Sequence, residues 1–350
     1  MHSGTRLYLK AGIFWQSEKE LLAGTNAPIY CFLITHGDKH ILFDLGMRQD
    51  WENLPPATIK IINMVVKVDM KTDVNTFLDT DDSGLGIRSK DISTIIWSHN
   101  HFDHTGDPSL FPPTTTLVVG PGVKENSWPG YPSNPEAQVP DSDIAGGRPI
   151  TEISFKDGLK IGSFDAVDFF GDGSFYLLNA PGHSVGHICG LARVTTGPDT
   201  FVLMGADSCH HIGVLRPSEY LPLPATISPS PLEQYRHLEG GCPGALVQAL
   251  HPGFSATKPF FQITKHVNAD YEEAQKTVKK LEELDAAENV LTVLGHDESL
   301  VGRLDLFPKP LNDWKAKETK VNVQWAFCKD FKVPDTGLPE GLQHSQARIE

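Results

Sequence analysis

The stretch His99-Asn100-His101-Phe102-Asp103-His104 places four side chains that can bind metal within six residues. The apolar run 94–97 comes directly before it, so we expect the cluster to lie in a tight loop at the end of a buried strand. Imidazole nitrogens and carboxylate oxygens are ligands of divalent transition metals. In such a loop His99 and His101 can bind one ion while Asp103 and His104 reach a second. The spacing therefore predicts a metal site rather than a patch of surface histidines.

The same pattern, an apolar run that stops near a His or an Asp, occurs four more times. The runs are 40–43 before Asp44, 175–178 before His183, 201–204 before Asp207 and 290–294 before His296. Short runs rich in β-branched and aromatic residues, bounded by Gly or Pro, are typical of buried strands. Because a buried strand fixes where its end lies, several strand ends can hold polar groups together at the rim of one core.

Helical patterns are fewer. Apolar residues recur at helical spacing over 270–285, where Asn268 or Asp270 can cap the helix start. A second helix is expected within 53–78, where it can also shape one wall of a pocket. Residues 121–149 and 216–231 are rich in Pro and are predicted to be loops.

The ligand-bearing strand ends extend from Asp44 to His296, so we treat residues 1–333 as one domain with insertions near 121–149 and 208–260. Two interpretations of the aromatic residues in these insertions stay open: they cover a compact apolar or aromatic substrate, or they pack the insertions onto the core. These aromatic residues are Trp128, Tyr131, Phe254, Phe260 and Phe261. Residues 334–350 are polar and are predicted to form a flexible tail.

Composition and charge narrow the class of protein. Of 350 residues, 39% are hydrophobic and 21% charged, as in an ordinary soluble globular protein. The net charge of −14 argues against binding of nucleic acid or of an anionic membrane, because both require clustered Lys and Arg. The sequence shows neither a secretory signal nor a membrane-spanning stretch, and its five cysteines are scattered without CxxC spacing. We therefore expect a cytoplasmic protein that acts on a small molecule, and the oligomeric state stays open.

The order of these motifs resembles the metallo-β-lactamase superfamily: His-x-His-x-Asp-His after a strand, then a His, an Asp and a final His. The matching positions extend from Asp44 to His296, which is most of the chain. The resemblance implies an α+β fold, an αββα sandwich in which two mixed β-sheets face each other with helices on the outside. It also implies two divalent metal ions per chain, which we expect to be Zn²⁺, although the same ligands accept iron, manganese or cobalt.

The resemblance further implies a role for each matching residue. The first ion would be bound by His99, His101 and His183, the second by Asp103, His104 and His296, with Asp207 bridging both. Asp44 would support the ligand loop without binding metal. The motif selects His183 over the nearby His187, which would then support or pack against the site.

Two metal ions can share one hydroxide, which is available near neutral pH because metals lower the pKa of bound water. This hydroxide can attack a carbonyl. Asp103 is expected to orient this nucleophile and to pass a proton to the leaving group. The sequence thus predicts a dinuclear metal-dependent hydrolase that needs no serine or cysteine nucleophile.

The best local match is with the acyl-homoserine-lactone lactonase branch, over Ser98 to His104, Pro181 to His187 and Gly295 to Asp297. Some fungal relatives in this broad group open cyclic amides or carbamates. We therefore predict that the enzyme opens a lactone or lactam ring of a small molecule, including an aromatic one.

Three alternatives are weighed against this prediction. A thioesterase of the same fold, acting on an acyl or polyketide thioester, usually carries Thr-Gly-Asp where this chain has Gly205-Ala206-Asp207. A flavin–diiron oxidoreductase carries a glutamate where His101 stands. A non-catalytic binding protein would be expected to have lost ligands, whereas every ligand position here is filled.

One position departs from the lactonase pattern. Lactonases of that branch carry a tyrosine three residues after the bridging aspartate, where it helps to hold the substrate carbonyl, and this chain has His210 there. We hypothesise that His210 is catalytic and donates a hydrogen bond to the substrate carbonyl or leaving group. A supporting histidine without a catalytic role is the alternative.

Overall fold

Short strands and helices alternate along the chain in a computed structural model that describes residues 1–80, 84–233 and 241–332. The predicted tail at 334–350 lies outside these residues, as does part of the 208–260 insertion. The strands are β1 His2–Lys10, β2 Trp15–Gln16, β3 Gly24–Tyr30, β4 Phe32–His36, β5 Lys39–Phe43, β6 Lys67–Asp69, β7 Ile92–Ile96, β8 Thr116–Val119, β9 Ile150–Glu152, β10 Lys160–Ile161, β11 Phe164–Asp168, β12 Phe175–Asn179, β13 Ile188–Thr195, β14 Thr200–Ala206, β15 Thr226–Ile227, β16 Cys242–Pro243, β17 Gln262–Ile263 and β18 Val290–Leu294. The α-helices are α1 Pro56–Val65, α2 Val74–Asp79, α3 Phe102–Thr105, α4 Val123–Ser127, α5 Gly244–Leu250, α6 Tyr271–Ala286 and α7 Thr319–Val323.

Two mixed sheets form the centre of the fold. The first has the strand order β4-β5-β7-β8-β9 and the second β10-β11-β12-β13-β14-β18. In the first sheet only β4 and β5 pair antiparallel, and in the second only β14 and β18 pair parallel. The predicted α+β fold with two mixed sheets is therefore confirmed.

An apolar layer joins the two sheets face to face. Ile41 and Phe43 of β5 belong to the same buried cluster as Leu177 of β12 and Met204 of β14. Leu42, between the first two, joins the cluster on the other face of its sheet, as the alternation of side chains along a strand requires. Burial of each such side chain stabilises the fold by about 1.5–3 kcal/mol, so this layer fixes the two sheets relative to each other.

The helices cover the outer faces of the sheets. In α6 an apolar stripe is buried, and the Asp270 carboxylate accepts a hydrogen bond from the Glu273 amide at 3.0 Å. The helix predicted at 270–285 is thus confirmed, with Asp270 as its cap. The segment 53–78 contains two helices, α1 and α2, separated by β6, which pairs with β1. Within the described residues, none of the helices has the length and apolar character needed to cross a bilayer.

The five strands predicted before a His or an Asp are all present, as β5, β7, β12, β14 and β18. β5 and β14 end directly before Asp44 and Asp207, and the other three strands end two to four residues before their histidines. Two of these strands belong to the first sheet and three to the second. The site is therefore built from both halves of the sandwich, at the edge where these strands end.

Gly182, which precedes His183, lies in close backbone contact with α6. Its φ is +123°, and a Cβ added there would overlap the backbone nitrogen of Ala274. The Gly182 carbonyl accepts a hydrogen bond from the Asp270 amide at 2.8 Å. The absence of a side chain thus lets the His183 loop reach the start of the helix.

We expect Gly182→Ala to lower the free energy of unfolding by roughly 2–4 kcal/mol, because backbone strain and steric overlap add together. Gly171→Ala is the matched control, since Gly171 has a φ of +78° but nothing lies within 4 Å of an added Cβ. Gly171→Ala should lower the free energy of unfolding by only about 1–2 kcal/mol, because it introduces backbone strain without steric overlap. Denaturant unfolding compares the two variants, and equal destabilisation would contradict the proposed contact.

Candidate metal centre

Two hydrogen bonds hold the loop from 99 to 104 in place: one joins the residues on either side of it, and the other connects it to the loop after β5. The Trp97 indole donates to the Thr105 carbonyl at 3.1 Å, and the Leu45 amide donates to the His104 carbonyl at 2.9 Å. His99, Asp103 and His104 are buried and His101 is half-buried. The loop therefore holds its ligand side chains inside the protein.

The first predicted ligand set converges on one point. His101 Nδ1 lies 3.0 Å from His99 Nε2 and 3.0 Å from His183 Nε2. Burial, together with the neighbouring histidines, lowers the pKa of His99 and of His183 well below the ordinary value. These imidazoles are therefore neutral, which is the form that binds a metal ion.

The second predicted set also converges. Asp103 Oδ2 lies 3.2 Å from His296 Nε2. Asp207 Oδ1 lies 3.1 Å from His104 Nε2 and 3.2 Å from His296 Nε2. All four side chains are buried.

Asp207 lies between the two sets. Its Oδ1 faces the second set, whereas its Oδ2 lies 3.6 Å from His183 Nε2 and 3.9 Å from His99 Nε2 in the first. The side chain needs the space left by Gly295, because a Cβ at that position would come within 2.9 Å of Oδ1. One carboxylate is thus shared by two clusters of imidazoles.

The donor atoms fit divalent cations. His104 Nε2, His296 Nε2 and Asp207 Oδ1 are buried and lack hydrogen-bond partners among the described residues, although they lie close together. Unpaired buried polar atoms are costly, and one cation bonded to all three would satisfy them.

Charge in the second set supports the same fit. Burial disfavours the charged form of His296, but the carboxylates of Asp207 and Asp103 outweigh it and raise its pKa to about 10. Burial also acts against the ionised form of Asp207, yet His296 and His104 hold its pKa well below the ordinary value. The anionic carboxylate therefore attracts positive charge, and a metal ion can supply it in place of protons.

The Asp44 carboxylate contacts both ends of the segment 98–104. Asp44 has a φ of +61° just after β5, and its carboxylate accepts from the Ser98 amide at 2.7 Å and the Ser98 hydroxyl at 2.8 Å. It also lies 2.8 Å from His104 Nδ1, so it accepts from that ring and turns Nε2 toward Asp207. Its side chain is 2% exposed.

Other supporting groups do not stand out in the sequence. The Pro28 carbonyl lies 2.9 Å from His296 Nδ1, and no motif points to it. His187 Nε2 accepts from the Asp207 amide at 3.2 Å, while its Nδ1 donates to the Ala180 carbonyl at 2.9 Å. His187 thus holds the backbone of Asp207 and lies outside the ligand clusters. Ser98, next to the motif, could have been identified as a support for His99 Nδ1, which its hydroxyl reaches at 3.0 Å.

A cavity of about 650 Å³ opens onto several of the predicted metal ligands. Its floor includes His101, Asp103, His183 and Asp207. The end of α1 forms one apolar wall, as expected for a helix within 53–78. The apolar residues of this wall are Ile61, Met64, Val65 and Val66. Polar residues from 126–138, including Asn126 and Gln138, line another part.

The aromatic residues of the insertions do not line this cavity. The Trp128 ring stacks on Trp97 at 5.7 Å, and Phe260 and Phe261 are each 2% exposed among other aromatic rings. Phe254 points to solvent with 59% exposure. Of the two interpretations left open, packing of the insertion onto the core is the one that fits Trp128, Phe260 and Phe261.

His210 lines the same cavity and is 3% exposed. Its Nε2 lies 3.0 Å from Asp207 Oδ2, and its ring contacts Phe14 at 5.0 Å between centroids. Phe14 is a cavity residue that no sequence motif indicates. The donation from His210 to the substrate stays a prediction.

Comparison with known proteins supports the same family. The sequence pattern of the metallo-beta-lactamase superfamily matches residues 24–195. The chain is 53% identical to the metallo-hydrolase mfmC of Annulohypoxylon moriforme, over 94% of this chain and 85% of that one. It is 43% identical to the gamma-lactamase FDB1 of Fusarium pseudograminearum, over 93% of this chain and 78% of that one. Other relatives are longer, and the chain spans 36% of a Penicillium roqueforti protein named cytochrome P450 monooxygenase mpaDE, at 50% identity.

Among solved structures, the fold is similar to that of an N-acyl homoserine lactone hydrolase with its product bound at the catalytic metal centre. The TM-score is 0.55 at 18% sequence identity, covering 87% of this chain and 94% of that one. At this identity the similarity concerns the fold alone. From the fold, the convergent His and Asp clusters and these relatives together, the chain belongs to the metallo-β-lactamase superfamily and is a metal-dependent hydrolase.

Proposed function

We propose that the protein binds two divalent ions, Zn²⁺ by preference, and uses them to open the ring of a small cyclic amide or cyclic ester. The observation that carries this proposal is the position of Asp207, whose two oxygens face separate clusters of buried imidazoles. His99, His101 and His183 would hold one ion, and Asp103, His104 and His296 the other. Asp207 would be shared by both.

Bound ions of this kind supply a nucleophile from water near neutral pH and polarise the carbonyl under attack. The protein's own contribution begins with Asp103, which lines the cavity beside His101. Burial acts against the ionised form of Asp103, yet His296 and His104 hold its pKa below the ordinary value. Asp103 is therefore an ionised carboxylate at the cavity floor. Its position there, rather than its pKa, supports a role in passing a proton to the leaving nitrogen or oxygen.

The cavity supports a compact substrate. Its volume of about 650 Å³ lies within the range of about 300–1,000 Å³ found for small-molecule sites. The apolar wall from α1 would hold a hydrocarbon or aromatic ring, while the polar residues near Asn126 and Gln138 would bind polar substituents. A cyclic amide is the favoured substrate, because the gamma-lactamase relative is 43% identical whereas the lactone hydrolase is similar in fold alone.

We expect the highest kcat/KM for a γ-lactam when four compounds of similar size are compared: a γ-lactam, the γ-lactone of the same skeleton, a cyclic carbamate and an acyclic thioester. The reason is the 43% identity to the gamma-lactamase, together with Asp103 as a group that can protonate the poor leaving nitrogen. Because the three cyclic compounds have the same ring size, a difference in kcat/KM among them arises from the atoms of the ring that is opened. A preference for the acyclic thioester would contradict ring opening.

Exhaustive treatment with a chelator should abolish hydrolysis, because the nucleophile and the polarising charge both depend on the ions. Added Zn²⁺ should restore activity up to two equivalents per chain, measured by titration against the rate of lactam opening. Asp207→Ala should not reach two equivalents. Full activity after complete metal removal, or saturation of the native chain at one equivalent, would disprove the dinuclear proposal.

Asp44→Asn should weaken metal binding by about 10–100-fold, because an amide cannot accept all three hydrogen bonds that orient Ser98 and His104. Competition with a chelator of known affinity measures the effect. Asp73→Asn is the matched control: Asp73 is also buried, but it accepts from the Thr76 amide at the start of α2. Unchanged affinity in Asp44→Asn would remove Asp44 from the support of the site.

A further inference from the structure

Imidazole nitrogens approach both oxygens of Asp207, two near Oδ1 and three near Oδ2. Oδ1 lies 3.1 Å from His104 Nε2 and 3.2 Å from His296 Nε2. Oδ2 lies 3.0 Å from His210 Nε2, 3.6 Å from His183 Nε2 and 3.9 Å from His99 Nε2. On the Oδ1 side both histidines belong to the proposed second ligand set. On the Oδ2 side, His210 lies beside His183, which belongs to the proposed first ligand set.

The ligand atoms of His183, Asp207 and His210 form a cluster of their own. They all lie within 4.8 Å of one another, as do those of His99, His101 and His183. Since His183 belongs to both clusters, the two adjoin at one point. His210 therefore adjoins the first set through His183 and through the Oδ2 side of Asp207.

The His210 ring is held from two sides. Its centroid lies 5.0 Å from that of Phe14, and it is parallel to the His296 ring within 4° at 5.9 Å. Its Nδ1 is buried without a hydrogen-bond partner among the residues the structure describes, as is the Nδ1 of His183. In both rings Nε2 is the nitrogen directed at Asp207.

We propose that His210 is a further ligand of the first ion, bound through Nε2, in place of the substrate contact hypothesised from the sequence. This rests on the proposed function, since it requires two bound ions. The first ion would then be held by four imidazoles and one carboxylate oxygen, and the second by two imidazoles and two carboxylates. The first-ion ligands are His99, His101, His183, His210 and Asp207.

The two ions would consequently differ. Zinc sites are usually four-coordinate but expand to five ligands, so a fifth protein ligand is compatible with Zn²⁺. An imidazole-rich site also suits iron, nickel or copper, whereas carboxylates suit harder ions. A chelator should therefore remove the second ion first.

Cobalt substitution tests the proposal by spectroscopy, independently of activity. Apo-protein is titrated with Co²⁺ while its visible absorption is recorded, for the native chain and for His210→Ala. Loss of one ligand lowers the coordination number, so the bands of the first ion should become more intense. They should return toward the native spectrum when free imidazole is added. The affinity for the first Co²⁺ should fall at least about tenfold, because even the loss of a group that only orients a ligand has that effect.

His211→Ala is the matched control for disturbance of the loop. His211 is also buried and adjacent in sequence, but its ring contacts Trp15 and Phe261, and its Nδ1 accepts from the Gly213 amide at 3.0 Å. This variant should bind Co²⁺ with the native spectrum. Circular dichroism establishes that both variants fold.

A measurement on the native chain covers the case in which His210→Ala fails to fold. Each imidazole bound to Co²⁺ gives one strongly shifted N–H signal in the proton NMR spectrum. His99, His101, His104, His183 and His296 account for five, and His210 would add a sixth. Five signals, or an unchanged cobalt spectrum and affinity in His210→Ala even with hydrolysis lost, would overturn the proposal. Absence of Co²⁺ binding by the native chain would instead contradict the proposed function.

Discussion

A single buried carboxylate, Asp207, connects the two halves of the site. Its oxygens lie 3.0–3.6 Å from four imidazole nitrogens, and its side chain is 3% exposed. A buried negative charge is tolerated only when it is paired, so this carboxylate requires positive charge on both sides. Divalent ions meet that requirement, and the structure around Asp207 is consistent with their presence: Gly295 leaves space for it, and His187 holds its backbone.

The sandwich explains how so many polar groups come together without unfolding the core. Asp207 and His296 follow the parallel pair β14 and β18 of one sheet, while Asp44 and the 99–104 loop follow the parallel pair β5 and β7 of the other. Parallel neighbours end at the same edge of a sheet, and the apolar layer between the sheets sets the two edges side by side. The predicted ligand side chains thus follow buried strands, while the cavity beside them is bounded by α1 and by loops.

The convergence of these His and Asp side chains could be predicted from the sequence because they follow strand ends in a fixed order. The strands themselves were predictable because β-branched and aromatic residues cluster in short runs. The supports and the cavity were not, because they depend on contacts between distant segments: Pro28 lies 268 residues from His296 in the chain. The sequence likewise could not show that Phe14 lines the cavity and that the aromatic residues of the insertions do not, because this depends on how the folded chain packs.

Anomalous diffraction from crystals of the zinc-loaded protein, recorded on both sides of the zinc edge, tests the central claim most directly. Two anomalous peaks are expected, one beside each carboxylate oxygen of Asp207. The peak at Oδ2 should lie among His99, His101 and His183, and the peak at Oδ1 among Asp103, His104 and His296. A single peak at full zinc loading, or two peaks with Asp207 bound to only one of them, would contradict the shared carboxylate on which the proposed chemistry depends.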